Sequence, residues 1–162
     1  MTLAFNALLT GWRHKMLRHW LIDRGAVRAF AVRVIEGFNV KCGGPEAEAR
    51  SLSGGNLQKF IVGREVMLGP KMLIVAQPTW GVDVGAAAFI RQALIDMRDA
   101  GTAILVISEE LDELFEICDR IAVIADGRLS PVKLVSETNV EEIGVWMSGM
   151  WPGAAPKEPA HA

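Results

Sequence analysis

An α/β fold, with part of a parallel sheet, helices beside it and a further helical portion, follows from three observations on the 162-residue chain. Two short apolar runs, Met72-Leu73-Ile74-Val75-Ala76 and Ala103 to Ser108, read as buried strands. An amphipathic stretch from about Val84 to Ala100 separates them, so strands alternate with helices. Upstream, Val27, Phe30, Ala31, Val34, Ile35 and Phe38 fall at i, i+3, i+4, i+7, i+8 and i+11, the stripe of an amphipathic helix.

From the N-terminus, Leu3 to Leu9 is apolar, and Arg13, His14, Lys15, Arg18 and His19 then gather around Trp12 and Trp20. Interleaved basic and aromatic residues suit nucleic acid or anionic lipid, but so short a cluster reads better as a solvated helix face. The helix of Val27 to Phe38 follows, and Gly43-Gly44-Pro45 opens a flexible link. Next comes Leu52-Ser53-Gly54-Gly55-Asn56, at the mouth of a helix carrying Leu57, Phe60 and Ile61 on one face with Lys59 beside them. Serine is a favoured helix N-cap, which is one reading of Ser53. The paired glycines also remove side-chain bulk and leave backbone N–H groups and a hydroxyl where a phosphate can bind.

The strand Met72–Ala76 runs into the polar loop Gln77-Pro78-Thr79-Trp80-Gly81-Val82-Asp83-Val84-Gly85, with Pro and Gly at turn positions. Asp83 is placed to cap the helix that starts at Val84. After the strand Ala103–Ser108, a helix is expected near Leu111 to Cys118 and a strand from Ile121 to Ala125. Asp126-Gly127 is a hairpin-type turn pair. A small helix from about Val140 to Met150 closes the folded part. Trp151 to Ala162, with Pro152, Pro156 and Pro159, reads as a disordered tail. No internal repeat is present.

Composition narrows the function classes. At 51% hydrophobic residues the chain can bury a sizeable core as a single domain. The net charge is −2 and the pI about 5.9, which gives no electrostatic case for nucleic acid. Cys42 and Cys118 lack C-x-x-C spacing, so a reducing compartment fits better than a disulfide or zinc site. No run approaches the eighteen or so apolar residues of a membrane span, and the N-terminus lacks a signal-peptide pattern.

The ordered set Leu52-Ser53-Gly54-Gly55-Asn56, strand then Gln77-Pro78-Thr79, Gly81-Val82-Asp83, Ile107-Ser108-Glu109-Glu110 and Asp119-Arg120-Ile121-Ala122-Val123-Ile124-Ala125-Asp126-Gly127-Arg128 resembles the ATP-binding subunit of ABC transporters. The similarity covers most of Ala26 to Met150 and is nearest to the second cassette of tandem-cassette importers for simple sugars and nucleosides. It implies a partial P-loop NTPase (ABC cassette) sheet. Residues 1–68 would form a helical subdomain with the signature, 69–150 a portion of the catalytic core, and 151–162 the tail.

Three departures from the family pattern matter. The phosphate loop G-x-x-x-x-G-K-[ST] is missing, since no Gly-Lys pair occurs in the sequence, and only about fifty residues precede Ser53. The chain looks like the C-terminal part of a cassette. The Asp-Glu pair that ends the family's strand is replaced by Ala76 and Gln77, which offer neither a magnesium ligand nor a general base. The resemblance aligns Glu109 with the family's usual histidine at the γ-phosphate, where a carboxylate would repel. The residues alone make Glu109 and Glu110 first-turn acids of the next helix.

What the resemblance retains is the half-site that works in trans. In the family two cassettes face head to tail, and the signature of one closes over ATP held by the other. Ser53, Gly54 and Gly55 would meet the γ-phosphate, Asn56 and Lys59 would sit behind, and Asp83 would lie in the loop crossing the interface. ATP would then be shared with another ABC cassette, magnesium held by that partner, and no catalytic residue of this chain intact. Transmembrane permease subunits would hold it, cytoplasmic, on the inner face of the plasma membrane; no nucleic-acid partner is expected. The alternatives are a soluble ABC-type ATPase of DNA repair or translation, or a non-functional remnant.

Overall fold

In a computed structural model, residues 1–11, 16–18 and 20–153 are described; the basic and aromatic residues Trp12, Arg13, His14, Lys15 and His19 and most of the expected tail lie outside them. The chain forms two compact units, 1–107 and 108–162.

The first unit begins with α1 (Leu3–Gly11), the apolar run expected from the sequence, which buries Leu3, Ala4 and Ala7. A two-stranded antiparallel ribbon follows, β1 (Leu17–Arg18) with β2 (Leu21–Ile22), turning at Trp20. Helix α2 (Arg24–Gly37) is capped by Asp23, whose side chain accepts from the Ala26 amide at 2.9 Å, and it buries Val27, Phe30, Ala31 and Val34 as the stripe requires. The glycine-proline link is anchored rather than loose. The Leu3 and Ala4 amides donate to the carbonyls of Ala47 and Pro45 at 2.9 and 2.8 Å, and the Ala49 amide donates to that of Met1.

Helix α3 (Gly54–Val66) carries the core of this unit, with Phe60 completely buried and Val62 and Gly63 beside it. Full burial of one such aromatic contributes about 1.5–3 kcal/mol. Polar contacts tie α3 to α1: Arg64 Nη1 donates to the Asn6 carbonyl at 2.9 Å and to its side-chain oxygen at 2.6 Å, and the Thr10 hydroxyl donates to Glu65 at 2.9 Å. The sheet consists of β3 (Met72–Ala76) and β4 (Ala103–Ile107), paired in parallel with Leu73 opposite Ile104. Helix α4 (Val84–Asp99) connects them and buries Ala86, Ile90, Leu94 and Met97. This is the α/β arrangement expected.

Gly63 is where α2 meets α3. A β-carbon there would lie 2.5 Å from Cγ of the Phe38 ring, which itself stands edge-on to Phe89 at 5.6 Å. Gly63→Ala is therefore expected to destabilise by about 1–3 kcal/mol through overpacking, despite alanine's better helix propensity. Gly144, which has open space around its α-carbon, gives the control: Gly144→Ala should stabilise by about 0.4–1 kcal/mol. Melting curves of the two variants should move in opposite directions.

In the second unit α5 spans Leu111–Ile117, and Glu110 takes the N-cap position without a side-chain cap. This corrects the sequence reading. The first-turn acids are Asp112 and Glu113, whereas Glu109 and Glu110 precede the first turn. The strand expected over Ile121–Ala125 is broken in two: β5 (Arg120–Ile121) pairs with β8 (Lys133–Leu134), and β6 (Ile124–Ala125) with β7 (Arg128–Leu129). The cause is Ser130. Its hydroxyl accepts from the Val123 amide at 2.8 Å, and its own amide donates to the Val123 carbonyl, so the chain changes partner at that point. Asp126 and Gly127, at φ 51° and 70°, form the two-residue hairpin turn predicted for that pair.

Helix α6 (Val140–Met147) ends earlier than expected, at Ser148 and a left-handed Gly149. Asn139 caps it, and Ile143 and Trp146 are buried. The Glu142 carboxyl is held below the ordinary carboxylate range by the Lys133 ammonium hydrogen-bonded to it and by the Thr138 hydroxyl. Trp151 lies under the Arg128 guanidinium, 5.9 Å from its ring centre. Among the described residues no helix is long and apolar enough to cross a membrane.

Candidate functional site at the N-terminus of α3

Ser53 occupies the N-cap position of α3 with extended backbone, yet its hydroxyl caps nothing. It instead accepts a hydrogen bond from Asn56 Nδ2 at 2.9 Å, while Asn56 Oδ1 accepts from the Lys41 amide at 2.8 Å. Asn56 thus fixes the serine to the segment behind it. Ser53 and Gly54 are exposed, and Gly55 and Asn56 half-buried. With no side chain spent on capping, the first-turn amides add to the positive end of the helix dipole. That combination of donors suits an anion.

The glycines have a second role that the sequence alone does not disclose. A β-carbon on Gly54 would lie 3.2 Å from the Gly81 carbonyl oxygen, and one on Gly55 would lie 3.3 Å from both the Asp83 carboxylate and the Ala86 β-carbon. The turn 81–83 is thereby seated directly against the start of α3. Asp83 is the N-cap of α4, its side chain accepting from the Ala86 amide at 2.8 Å. Ser53, Gly54, Gly55, Asn56 and Asp83 therefore form one cluster, contributed by two helix N-termini. Lys59 lies on the α4 side, its ammonium 5.1 Å from the centre of the Phe89 ring.

Gln58, missed in the sequence, and Gly81, read there as a turn glycine of the Gly81-Val82-Asp83 motif, hold this arrangement. Gln58 Nε2 donates to the Pro78 carbonyl at 2.8 Å, tying α3 to the loop after β3. Gly81, at φ 70°, adopts the left-handed turn that brings its carbonyl to Gly54. Gln58 has no periodic or motif signal, because its contact is between elements far apart in sequence.

The end of β3 is built differently. Ala76 is exposed and offers a methyl group, with no oxygen for a metal. Gln77 sits at φ 50°, a left-handed conformation unusual for a residue with a side chain, and its amide continues the ladder to the Ile107 carbonyl at 2.7 Å. An amide side chain there cannot take a proton from water. Glu109 is exposed and belongs to the second unit. The residues at these positions do not fit a magnesium ion.

No family model matches the chain. Among curated proteins, it is 44% identical over 150 residues to the nucleoside import ATP-binding protein NupA of Lactococcus lactis, covering 92% of this chain and 30% of NupA. It is 43% identical over 129 residues to the guanosine import ATP-binding protein NupO of Bacillus subtilis, covering 80% of this chain and 25% of NupO. The galactose/methyl galactoside import ATP-binding protein MglA of Escherichia coli is 35% identical over 143 residues, covering 88% and 28%. The chain is homologous to sugar and nucleoside import ATP-binding proteins. It spans less than a third of the length of these curated relatives.

Solved structures agree on the fold. The ATP-binding cassette MJ0796, in a dimeric structure bound to ADP and Pi, superimposes with a TM-score of 0.69 at 19% identity, over 83% of this chain and 57% of its own. The ATP-binding subunit of another ABC transporter superimposes with a TM-score of 0.66 at 17% identity, over 93% of this chain and 58% of its own. The ABC-cassette resemblance of the sequence and its α/β fold are thereby confirmed.

Proposed function

We propose that this chain supplies the signature half of an ATP site, completing in trans a site whose phosphate loop belongs to a partner cassette, in the import of sugars or nucleosides. One observation carries the reading. The Ser53 hydroxyl is exposed, uncommitted to capping and held by Asn56, at the bare N-terminus of α3. Ser53 and the amides of Gly54 and Gly55 would donate to the γ-phosphate. Bound ATP supplies the phosphoanhydride, and the protein's part is positional and electrostatic, as with an arginine finger given by a partner. Asp83, seated against Gly55, would stand at the same interface. Magnesium would be held by the partner, because Ala76 and Gln77 cannot hold it. Transmembrane permease subunits would place the complex on the inner face of the plasma membrane, and the import activity named for the relatives supports sugars and nucleosides as the solute classes.

Hydrogen exchange tests this reading. With a cassette that has an intact G-x-x-x-x-G-K-[ST] loop and with MgATP, the amides of Gly54, Gly55 and Asn56 should exchange at least about tenfold more slowly, since a retained hydrogen bond must open before exchange. MgATP without the partner should leave them unchanged. Unaltered exchange in the presence of both would refute the reading.

A further inference from the structure

Asn56 is the third residue of α3, the position from which a capping box sends a side chain back to the N-cap backbone N–H while the N-cap hydroxyl accepts from the third amide. Here the Asn56 side chain bonds the Ser53 hydroxyl instead, donating from Nδ2 at 2.9 Å. Its Oδ1 accepts from the Lys41 amide at 2.8 Å, so the side-chain amide cannot turn over without setting its NH2 against an N–H. Lys41 is in turn fixed by the exit of α2. Asn39, at φ 47°, bends the chain back, Val40 is buried, and the Val40 amide donates to the Ile35 carbonyl at 2.9 Å. A hydroxyl has one hydrogen and two lone pairs. Nδ2 fills a lone pair of Ser53 and offers no acceptor, so the hydrogen points away from Asn56, and among the described residues no group accepts it. Accepting one bond also polarises the hydroxyl as a donor.

We propose that Asn56 is the positioning residue of this site: it keeps Ser53 from capping α3 and directs the serine proton outward, so that the serine meets a phosphate oxygen as a donor. The proposal rests on the ATP reading above for the phosphate, and on the geometry of the chain alone for the positioning. Asn56 acts through the serine and touches no substrate itself. Because its reference point is Lys41, the aim of the hydroxyl follows the exit of α2 as well as α3. Without the asparagine nothing opposes the ordinary N-cap. The Ser53 oxygen then swings onto the amide of residue 55 or 56, which closes the first turn and withdraws both the hydroxyl and an N–H from an anion.

The test has two arms. The first follows amide exchange, relative to intrinsic rates, in the full chain without nucleotide or partner. In Asn56→Ala the amide of residue 55 or 56 should exchange about three- to tenfold more slowly than in the wild type, as the cap forms. Adding Ser53→Ala to that variant should remove the slowing. The Lys41 amide should exchange faster in Asn56→Ala but not in Asn56→Asp, which keeps its acceptor and shows that the segment is still folded. Unchanged or faster exchange at both residues 55 and 56 in Asn56→Ala, the result of a merely structural asparagine, would overturn the proposal. The second arm measures association with a cassette that has an intact G-x-x-x-x-G-K-[ST] loop, with and without MgATP. Ser53→Ala should reduce the MgATP-dependent gain about tenfold beside Asn56 and less than about twofold in the Asn56→Ala background. Equal losses in the two backgrounds would also overturn it. A wild-type chain whose association ignores MgATP would refute the ATP reading instead, and the first arm would still decide the role of Asn56.

Discussion

Ser53→Arg is expected to lower ATP turnover of the complex with a partner cassette by about 10²- to 10³-fold, the usual loss when a preorganised donor to developing charge is removed. The long side chain would obstruct the γ-phosphate and the close approach of the Gly54 and Gly55 backbone. The effect on folding should be small. Ser53 is exposed, its hydroxyl makes no cap, and its bond to Asn56 contributes only about 0.5–1.5 kcal/mol. The melting temperature should move by no more than about 2–4 °C for a chain of this size. Ser53→Ala keeps the backbone donors and should cost roughly tenfold, so the pair grades hydroxyl loss against obstruction. Equal turnover for wild type and Ser53→Arg would make the signature a relic.

The isolated 162-residue chain should show neither micromolar binding of MgATP nor hydrolysis. Phosphate-binding loops contribute charge-assisted hydrogen bonds of about 1.5–3 kcal/mol each. Losing three of them removes about 4.5–9 kcal/mol, against the roughly 8 kcal/mol of a micromolar complex. Gln77→Glu returns a carboxylate to the end of β3 but no metal ligand at Ala76, so it should restore no activity. Glutamate would also inherit the left-handed backbone at φ 50°, which costs about 1–3 kcal/mol for a residue with a β-carbon. Calorimetric titration with MgATP and a phosphate-release assay on both proteins check this. Saturable micromolar binding, or phosphate release above background from Gln77→Glu, would show that the missing groups have been misjudged.

Local chemistry was legible where one element decides the outcome. The stripe Val27 to Val34 is buried along α2, Met72–Ala76 is a strand with the bounds read from its apolar run, Asp83 caps α4, and Asp126-Gly127 turns a hairpin. What escaped depends on partners distant in sequence. Ser130 breaks the strand near Val123 through a hydroxyl seven residues away. The Ser53 hydroxyl is drawn from its cap by Asn56, itself fixed by the Lys41 amide. Gly54 and Gly55 pack against Gly81, Asp83 and Ala86, a constraint that no glycine pair announces by its own spacing.

The central claim is that ATP held by another cassette is grasped by the N-terminus of α3. If so, linkage is unavoidable: a nucleotide that bridges two chains must tighten their association by the same factor with which the second chain tightens its binding. The deciding measurement is the Kd between this chain and a cassette with an intact phosphate loop, with and without MgATP. The account predicts at least about tenfold tighter association with MgATP, a coupling of about 1.4 kcal/mol, and loss of that gain in Ser53→Arg. An unchanged Kd, or a gain that persists in Ser53→Arg, would contradict it.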